Sequence, residues 1–132
     1  MSKFKSIDKK IKQVAEELNA RLSIDRPNYA HPLRTFEERR IDWIDGEVNK
    51  AIIIQPHFSS TGVDSSKWYL MNVAWIKKKG IAQKPGWRKT LVDKEDFKEI
   101  ESRIDELLDK SVSNLRSVSI TDVQNLSKEG LH

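Results

Sequence analysis

The apolar positions of this chain fall into two helical patterns that flank a stretch of strand-like patterns. Between residues 6 and 22, apolar side chains recur every three or four positions, which predicts an amphipathic helix with one buried face. The same spacing returns between residues 94 and 111, directly after Asp93, a residue type that often caps helix N-termini. The two predicted faces consist of Ile7, Ile11, Val14, Ala15, Leu18 and Leu22, and of Phe97, Ile100, Ile104, Leu107 and Leu108.

The segment between these helices opens with a β-hairpin signal. Asp45-Gly46 favours a two-residue type I′ turn, because both central positions of that turn need positive φ. A turn at these two residues places Trp43 directly opposite Val48. The sequence therefore predicts a pair of antiparallel strands over residues 39–58.

Two predicted strands are apolar on both of their faces. Residues 51–54 form an unbroken apolar run, and Pro56 should either end this strand or sit at its edge, because proline cannot donate to a strand ladder. Residues 67–77 alternate between two sets of side chains that are both largely apolar. Residues 91–92 suggest a short fourth strand, and residues 23–35, with two prolines, predict a loop.

These elements define an α+β fold, with an antiparallel three- or four-stranded β-meander and an N-terminal and a C-terminal helix packed on one face (α-β-β-β-(β)-α). We expect residues 1–115 to form a single α+β domain. Residues 116–132 should be a C-terminal tail that is partly disordered or folded back.

Composition narrows the class of protein. The 132 residues are 33% charged and 37% hydrophobic, with a net charge of +4, which is typical of a small soluble domain. The chain has no cysteine and no apolar run long enough for a bilayer, so we expect a cytoplasmic protein without thiolate metal sites or membrane contacts. His31, His57 and His132 lack metal-site spacing, and no nucleophile or phosphate-loop motif is present. We therefore expect neither catalytic residues nor a cofactor.

Two helices cover only one face of the predicted sheet, so the apolar side chains of the other face need a partner. The leading hypothesis is a non-enzymatic module for protein–protein interaction or homodimerisation through that second sheet face. A folded-back tail or a tryptophan-lined pocket are the alternative explanations of the apolar excess. The interface candidates are Trp68, Leu70, Ile76, Ile53 and Ile44.

A basic segment at residues 77–89 supports an alternative hypothesis, nucleic-acid binding. Its six cations and one tryptophan, with no acidic residue, suit phosphate contacts and base stacking. The acidic residues that follow it compete with this interpretation, because they would neutralise the cations. The candidate nucleic-acid-binding residues are Lys77, Lys78, Lys79, Lys84, Trp87, Arg88 and Lys89.

The order of helix, strands and helix, with an acidic residue ahead of an apolar strand, resembles the core of the PD-(D/E)xK nucleases. In that family an aspartate and a second acid, two residues before a lysine, hold a divalent metal. Asp42 or Asp45 matches the first acid, whereas residues 55–57 read Gln-Pro-His where the family has acid-x-lysine. The resemblance implies a degenerate nuclease-like αβββα domain without activity.

Overall fold

The computed structural model describes residues 5–25, 38–59, 62–78, 81–82 and 87–123. It shows the predicted α+β fold, an antiparallel sheet with helices at both ends, and within these ranges the sheet has six strands where three or four were expected. The elements are α1 (Lys5–Leu18), β1 (Arg21–Asp25), β2 (Glu38–Asp45), β3 (Val48–Ser59), β4 (Gly62–Lys78), β5 (Ile81–Ala82), β6 (Trp87–Asp96), α2 (Phe97–Ser102) and α3 (Ile104–Arg116).

The sheet is an antiparallel meander that centres on its longest strand. Strands β1, β2, β3 and β4 are neighbours in chain order, and β5 and β6 both pair with β4. β6 takes the place of the short fourth strand predicted at residues 91–92, and it includes the expected helix cap, Asp93. The helix instead begins after Asp96, whose extended backbone ends β6.

The predicted turn is displaced by one residue along the chain. Asp45 pairs with Val48, so Gly46 and Glu47 are the two turn residues. Gly46 has a φ of 63°, and Glu47 does not have positive φ, which is typical of type II′ with glycine first. The strand register therefore differs from the predicted one by two residues. A two-residue shift keeps every side chain on its predicted face.

The first helix is shorter than predicted because Asn19 ends it. Asn19 has a φ of 53°, and the Ala20 N–H donates to the Ala15 carbonyl at 2.8 Å. The Asn19 N–H also donates to the Glu16 carbonyl, which completes a Schellman motif. The next residues form β1, so the prediction of helix through Leu22 and of loop at residues 23–25 is wrong.

Pro56 does not end its strand. β3 continues to Ser59, and its register against β4 shifts between Pro56 and His57. Such an irregularity is a position at which a strand accommodates proline. The expectation that the strand ends at this proline is corrected accordingly.

The C-terminal helix is interrupted at Arg103, which separates α2 from α3. The Arg103 guanidinium contacts the Glu95 carboxylate at 3.3 Å, so this residue ties the helix break to β6. After α3 the chain turns back, and Ser119 and Asp122 exchange hydrogen bonds as a capping box for a helical turn at residues 120–123. Ser119 is therefore the N-cap of this turn.

The main core lies between the helices and one face of the sheet, here called the helix side. Apolar residues of both predicted helical faces are buried there against β2, β3, β4 and β6. Val118 and Val123 also belong to this core, so the first part of the tail folds back on the helix side. The buried apolar members are Ile7, Ile11, Val14, Ala15, Ile41, Val48, Ile52, Ile54, Trp68, Leu70, Ala74, Val92, Ile100, Ile104, Leu107, Leu108, Leu115, Val118 and Val123.

Candidate protein-binding face

The face of the sheet opposite the helices, here called the second face, has its own small apolar cluster. Ala51 and Ile53 of β3 pack there with Met71 and Val73 of β4, and all four are between 0% and 7% exposed. Because these side chains are already buried in the single chain, the surface that a partner would meet is the border of the cluster.

Arg40 and Trp75 contact each other on that border. Cross-strand pairing arranges the side chains of this face in three rows. Arg40 lies opposite Ile53 in the first row, Asp42 opposite Ala51 in the second, and Asn49 opposite Trp75 in the third. The Arg40 guanidinium carbon lies 5.5 Å from the Trp75 ring centroid, a cation–π distance.

Asp42 holds the arginine in this position. The Arg40 Nε donates to Asp42 Oδ1 at 2.7 Å, and both side chains are about one-third exposed. Two contacts thus fix the Arg40 side chain, one to a carboxylate and one to an indole. A long side chain fixed before binding loses less rotamer entropy when a partner arrives.

Ile44 lies beside this group and is open to solvent. It shares a row with Asn49 and Trp75 and is 71% exposed. Among the residues whose side chains the structure describes, Ile24, at 43%, is the other exposed large hydrophobic residue. An exposed isoleucine beside an arginine and a tryptophan is typical of protein-contact surfaces, where Arg, Trp and Tyr are enriched.

The structure separates the five predicted interface residues. Ile53 and Ile44 lie on the second face as expected. Trp68 and Leu70 lie in the main core on the helix side, where Trp68 packs against Phe97 with ring centroids 5.4 Å apart. Ile76 also packs against the main core. These last three side chains do not face a partner at the second face.

Sequence reasoning missed Arg40, Asp42 and Trp75 as a group. Their signal is the cross-strand register, because Trp75 lies 33 and 35 positions from Asp42 and Arg40 and becomes their neighbour only once the pairing of β2, β3 and β4 is known. Tyr69, which packs against the same small cluster, completes the border along β4.

The basic segment is described in part. Lys77 and Lys78 end β4, Trp87 and Arg88 begin β6, and Lys89 is exposed, whereas Lys79 and Lys84 lie outside the described residues. The register pairs residues 87 and 88 with 74 and 73, so both ends of the segment meet at one end of β4.

The acidic residues of the C-terminal helices were expected to neutralise the basic segment. Several of their carboxylates contact other cations instead. Asp105 and Asp109 lie 3.8 and 3.7 Å from the Lys10 ammonium. Glu106 lies 3.3 Å from Lys110, one helical turn away. These three carboxylates are therefore engaged by cations outside the basic segment.

The nuclease-like residues do not converge. Asp42 pairs with Ala51, whereas Gln55 lies four residues further along β3, about 13 Å away at the usual rise per residue. Asp45 lies at the hairpin end and binds Lys50 at 2.8 Å. Across the described parts of the chain, no group of three or more His, Asp or Glu side chains could hold a metal ion.

A shallow cleft lies at the hairpin turn on the helix side. It has a volume of about 280 Å³ and is lined by the turn and by the start of the folded-back tail. No tryptophan lines it, so it does not match the predicted tryptophan-lined pocket. Its lining residues are Asp45, Gly46, Glu47, Val48, Val118, Ser119 and Ile120.

Comparison with known proteins places the chain in no family: no family model, curated protein or solved structure matches it. Within the described ranges, the helices lack the length and apolar character needed to traverse a bilayer.

Proposed function

We propose that the protein is a non-enzymatic binding domain whose second face binds another protein. The observation that supports it most is the exposed Ile44 beside the fixed Arg40–Trp75 pair. Exposed apolar area next to an aromatic ring and a constrained arginine offers both hydrophobic and polar contacts, the combination that dominates binding free energy at protein interfaces.

The second face also suits a copy of the same chain. A two-fold symmetric interface brings one surface patch against itself, so the patch must be self-complementary. Arg40 and Asp42 supply opposite charges from neighbouring rows, and Ile44 supplies apolar area beside them. Homodimerisation is thus one form of the proposal, and binding of a different protein is the other.

Site-specific photo-crosslinking tests the proposal in the cells that produce the protein. A photoreactive amino acid at Ile44 should give a crosslinked product, and the same group at Ser113, exposed on α3, should not. Twice the monomer mass identifies a second copy, and another mass identifies a different protein. Arg40→Glu in the same background should lower the yield. Equal yields at both positions would refute the second face as the binding surface.

Nucleic-acid binding by the basic segment is the second candidate function. The engagement of Asp105, Asp109 and Glu106 by Lys10 and Lys110 favours it, because those carboxylates do not neutralise the segment. Lys89, at the start of β6, is exposed to solvent and is available for a phosphate contact.

A further inference from the structure

Strand β1 is the outer strand of the sheet. Within the described residues it pairs with β2 alone, so its other edge meets no strand. In an antiparallel strand, alternate residues direct both their N–H and C=O groups to one side. With respect to the described part of the chain, about two or three residues of β1 therefore present backbone donors and acceptors that pair with no strand.

We propose that β1 pairs with β1 of a second copy of this chain, antiparallel and centred on Ser23, so that two sheets become one. The sequence of β1 is RLSID, and pairing about Ser23 is self-complementary. Arg21 meets the partner's Asp25, and Leu22 meets the partner's Ile24. Ser23 meets itself, and its small side chain permits close approach at the two-fold axis.

The apolar residues of β1 lie on the face where this pairing would bury them. Leu22 and Ile24 pair with Ile41 and Arg39 of β2, both of which are buried on the helix side. Ile24 is nevertheless 43% exposed, because it lies at the sheet edge. Pairing with the partner covers Ile24 from the open side and extends the main core across the two-fold axis.

The position of α1 allows the two chains to approach. α1 packs over β1 and β2 and beside α3. With strands about 4.8 Å apart, a helix centred over the β1–β2 pair lies about 5 Å from the two-fold axis. The two α1 helices then lie about 10 Å apart, which is the usual packing distance between helices.

Charges on α1 also suit this arrangement. Lys10 pairs with α3, so the far side of α1 faces the open edge. That side carries Lys5 in the first helical turn, Lys12 near the middle and Glu16 in the last, all exposed. The two-fold axis makes the helices antiparallel, which brings each basic end near the partner's acidic end.

The dimer has a consequence for binding through the second face. A two-fold axis perpendicular to the sheet leaves both second faces on the same side of the joined sheet. The dimer would then present two Ile44–Arg40–Trp75 surfaces together, and a partner with two matching sites would gain avidity.

Engineered disulfides test the proposed register. The chain has no cysteine, so Ser23→Cys introduces a single thiol. Directly opposed residues lie about 4.5–5.5 Å apart between Cα atoms, within disulfide range. Arg21→Cys is the matched control, because its thiols would lie about 13 Å apart in the proposed pairing. We expect Ser23→Cys to form the crosslinked dimer at least about tenfold faster than Arg21→Cys.

Sedimentation equilibrium on the full chain completes the test. We expect twice the monomer mass, loss of the dimer in Arg21→Asp, and its return in Arg21→Asp combined with Asp25→Arg. Ile44→Lys should leave the mass unchanged, whereas it would abolish a dimer formed through the second face. A monomeric mass at high micromolar concentration, or equal crosslinking of the two cysteine variants, would overturn the proposal.

Discussion

The ion pair between Asp8 and Arg39 offers the sharpest test of how α1 is held on the sheet. Arg39 is only 3% exposed, on β2 beneath α1. Its Nε and a terminal guanidinium nitrogen donate to the two carboxylate oxygens of Asp8 at 2.9 and 3.2 Å. We expect Asp8→Ala to destabilise the protein more than Arg39→Met does, because it leaves a buried cation without its carboxylate partner.

The burial of the two partners sets the magnitude. Removing one partner of a fully buried pair costs about 3–5 kcal/mol. The Asp8 side chain is 33% exposed, so water reaches the Arg39 guanidinium once the carboxylate is removed, and Arg39 has further interactions. We therefore expect Asp8→Ala to lower the free energy of unfolding by about 2–3 kcal/mol. Arg39→Met retains an apolar stem of similar length and should cost about 1–2 kcal/mol.

Urea unfolding of the wild type, both single variants and the double variant measures the coupling. We expect the double variant to resemble Arg39→Met, since removal of the cation also removes the penalty for its missing partner. Asp109→Ala, which removes a carboxylate 3.7 Å from Lys10 and exposed to solvent, is the matched control and should stay within about 0.5 kcal/mol. A cost below about 1 kcal/mol for Asp8→Ala, or additive single effects, would refute the reasoning.

Three further predictions use equilibrium unfolding and gel-shift assays. Leu108→Ala should cost about 2–5 kcal/mol, because Leu108 is fully buried in the main core, and a cost under 1 kcal/mol would contradict the packing. Gly46→Ala should cost about 1–2 kcal/mol from its φ of 63° alone, since no atom lies within 4 Å of an added Cβ, and Gly46→Asn should cost less. If the basic segment binds nucleic acid, affinity should fall steeply with salt, and Lys78→Glu with Lys84→Glu should weaken it for every sequence tested. Absence of a low-salt gel shift at micromolar protein would exclude that function.

The helices and the faces of the hairpin were predictable because they depend on local periodicity. Ile7 and Ile11 recur at a helical interval, and both are buried where that interval places them. The hairpin turn was misplaced, yet its faces were right, because a register change of two residues returns each side chain to the same side. Local patterns therefore predict which residues are buried better than they predict which residues pair across strands.

The sequence did not predict which side chains of β4 share a face of the sheet with which side chains of β3. Both strands are apolar on both faces, so either set of β4 side chains was compatible with either set from β3. The structure pairs Met71 with Ile53 and Leu70 with Ile54, which places Leu70 on the helix side. A one-residue difference in phase would have exchanged the two sets, and the loop before β4 carries no signal that fixes its phase. This is why Trp68 and Leu70 were assigned to a partner surface.

Strand β1 was missed because its signal is short. Five residues are too few for a clear alternation, and Leu22 continues the apolar spacing of α1. Asn19 is the residue that could have separated the two elements, since asparagine tolerates the left-handed conformation that ends a helix. The proposed dimer contact is formed by the edge of β1. A fold predicted from the sequence without β1 therefore cannot reveal this contact.

The hairpin register itself depends on a charged residue in the core. Lys50 is 1% exposed on the helix side, between Val48 and Ile52, and its ammonium lies 2.8 Å from the Asp45 carboxylate at the solvated end of the hairpin. A lysine stem can pack among apolar side chains only when its charged end reaches water or a carboxylate. The observed register makes Asp45 a diagonal neighbour of Lys50, with Val48 directly opposite Asp45. In the register that Asp45-Gly46 predicted, Asp45 lies within the turn and Ile41 stands opposite Lys50, so that the ammonium loses this cross-strand partner. We infer that the need to pair a buried cation outweighs the preference of Asp-Gly for a type I′ turn, and that this selects the turn at Gly46 and Glu47.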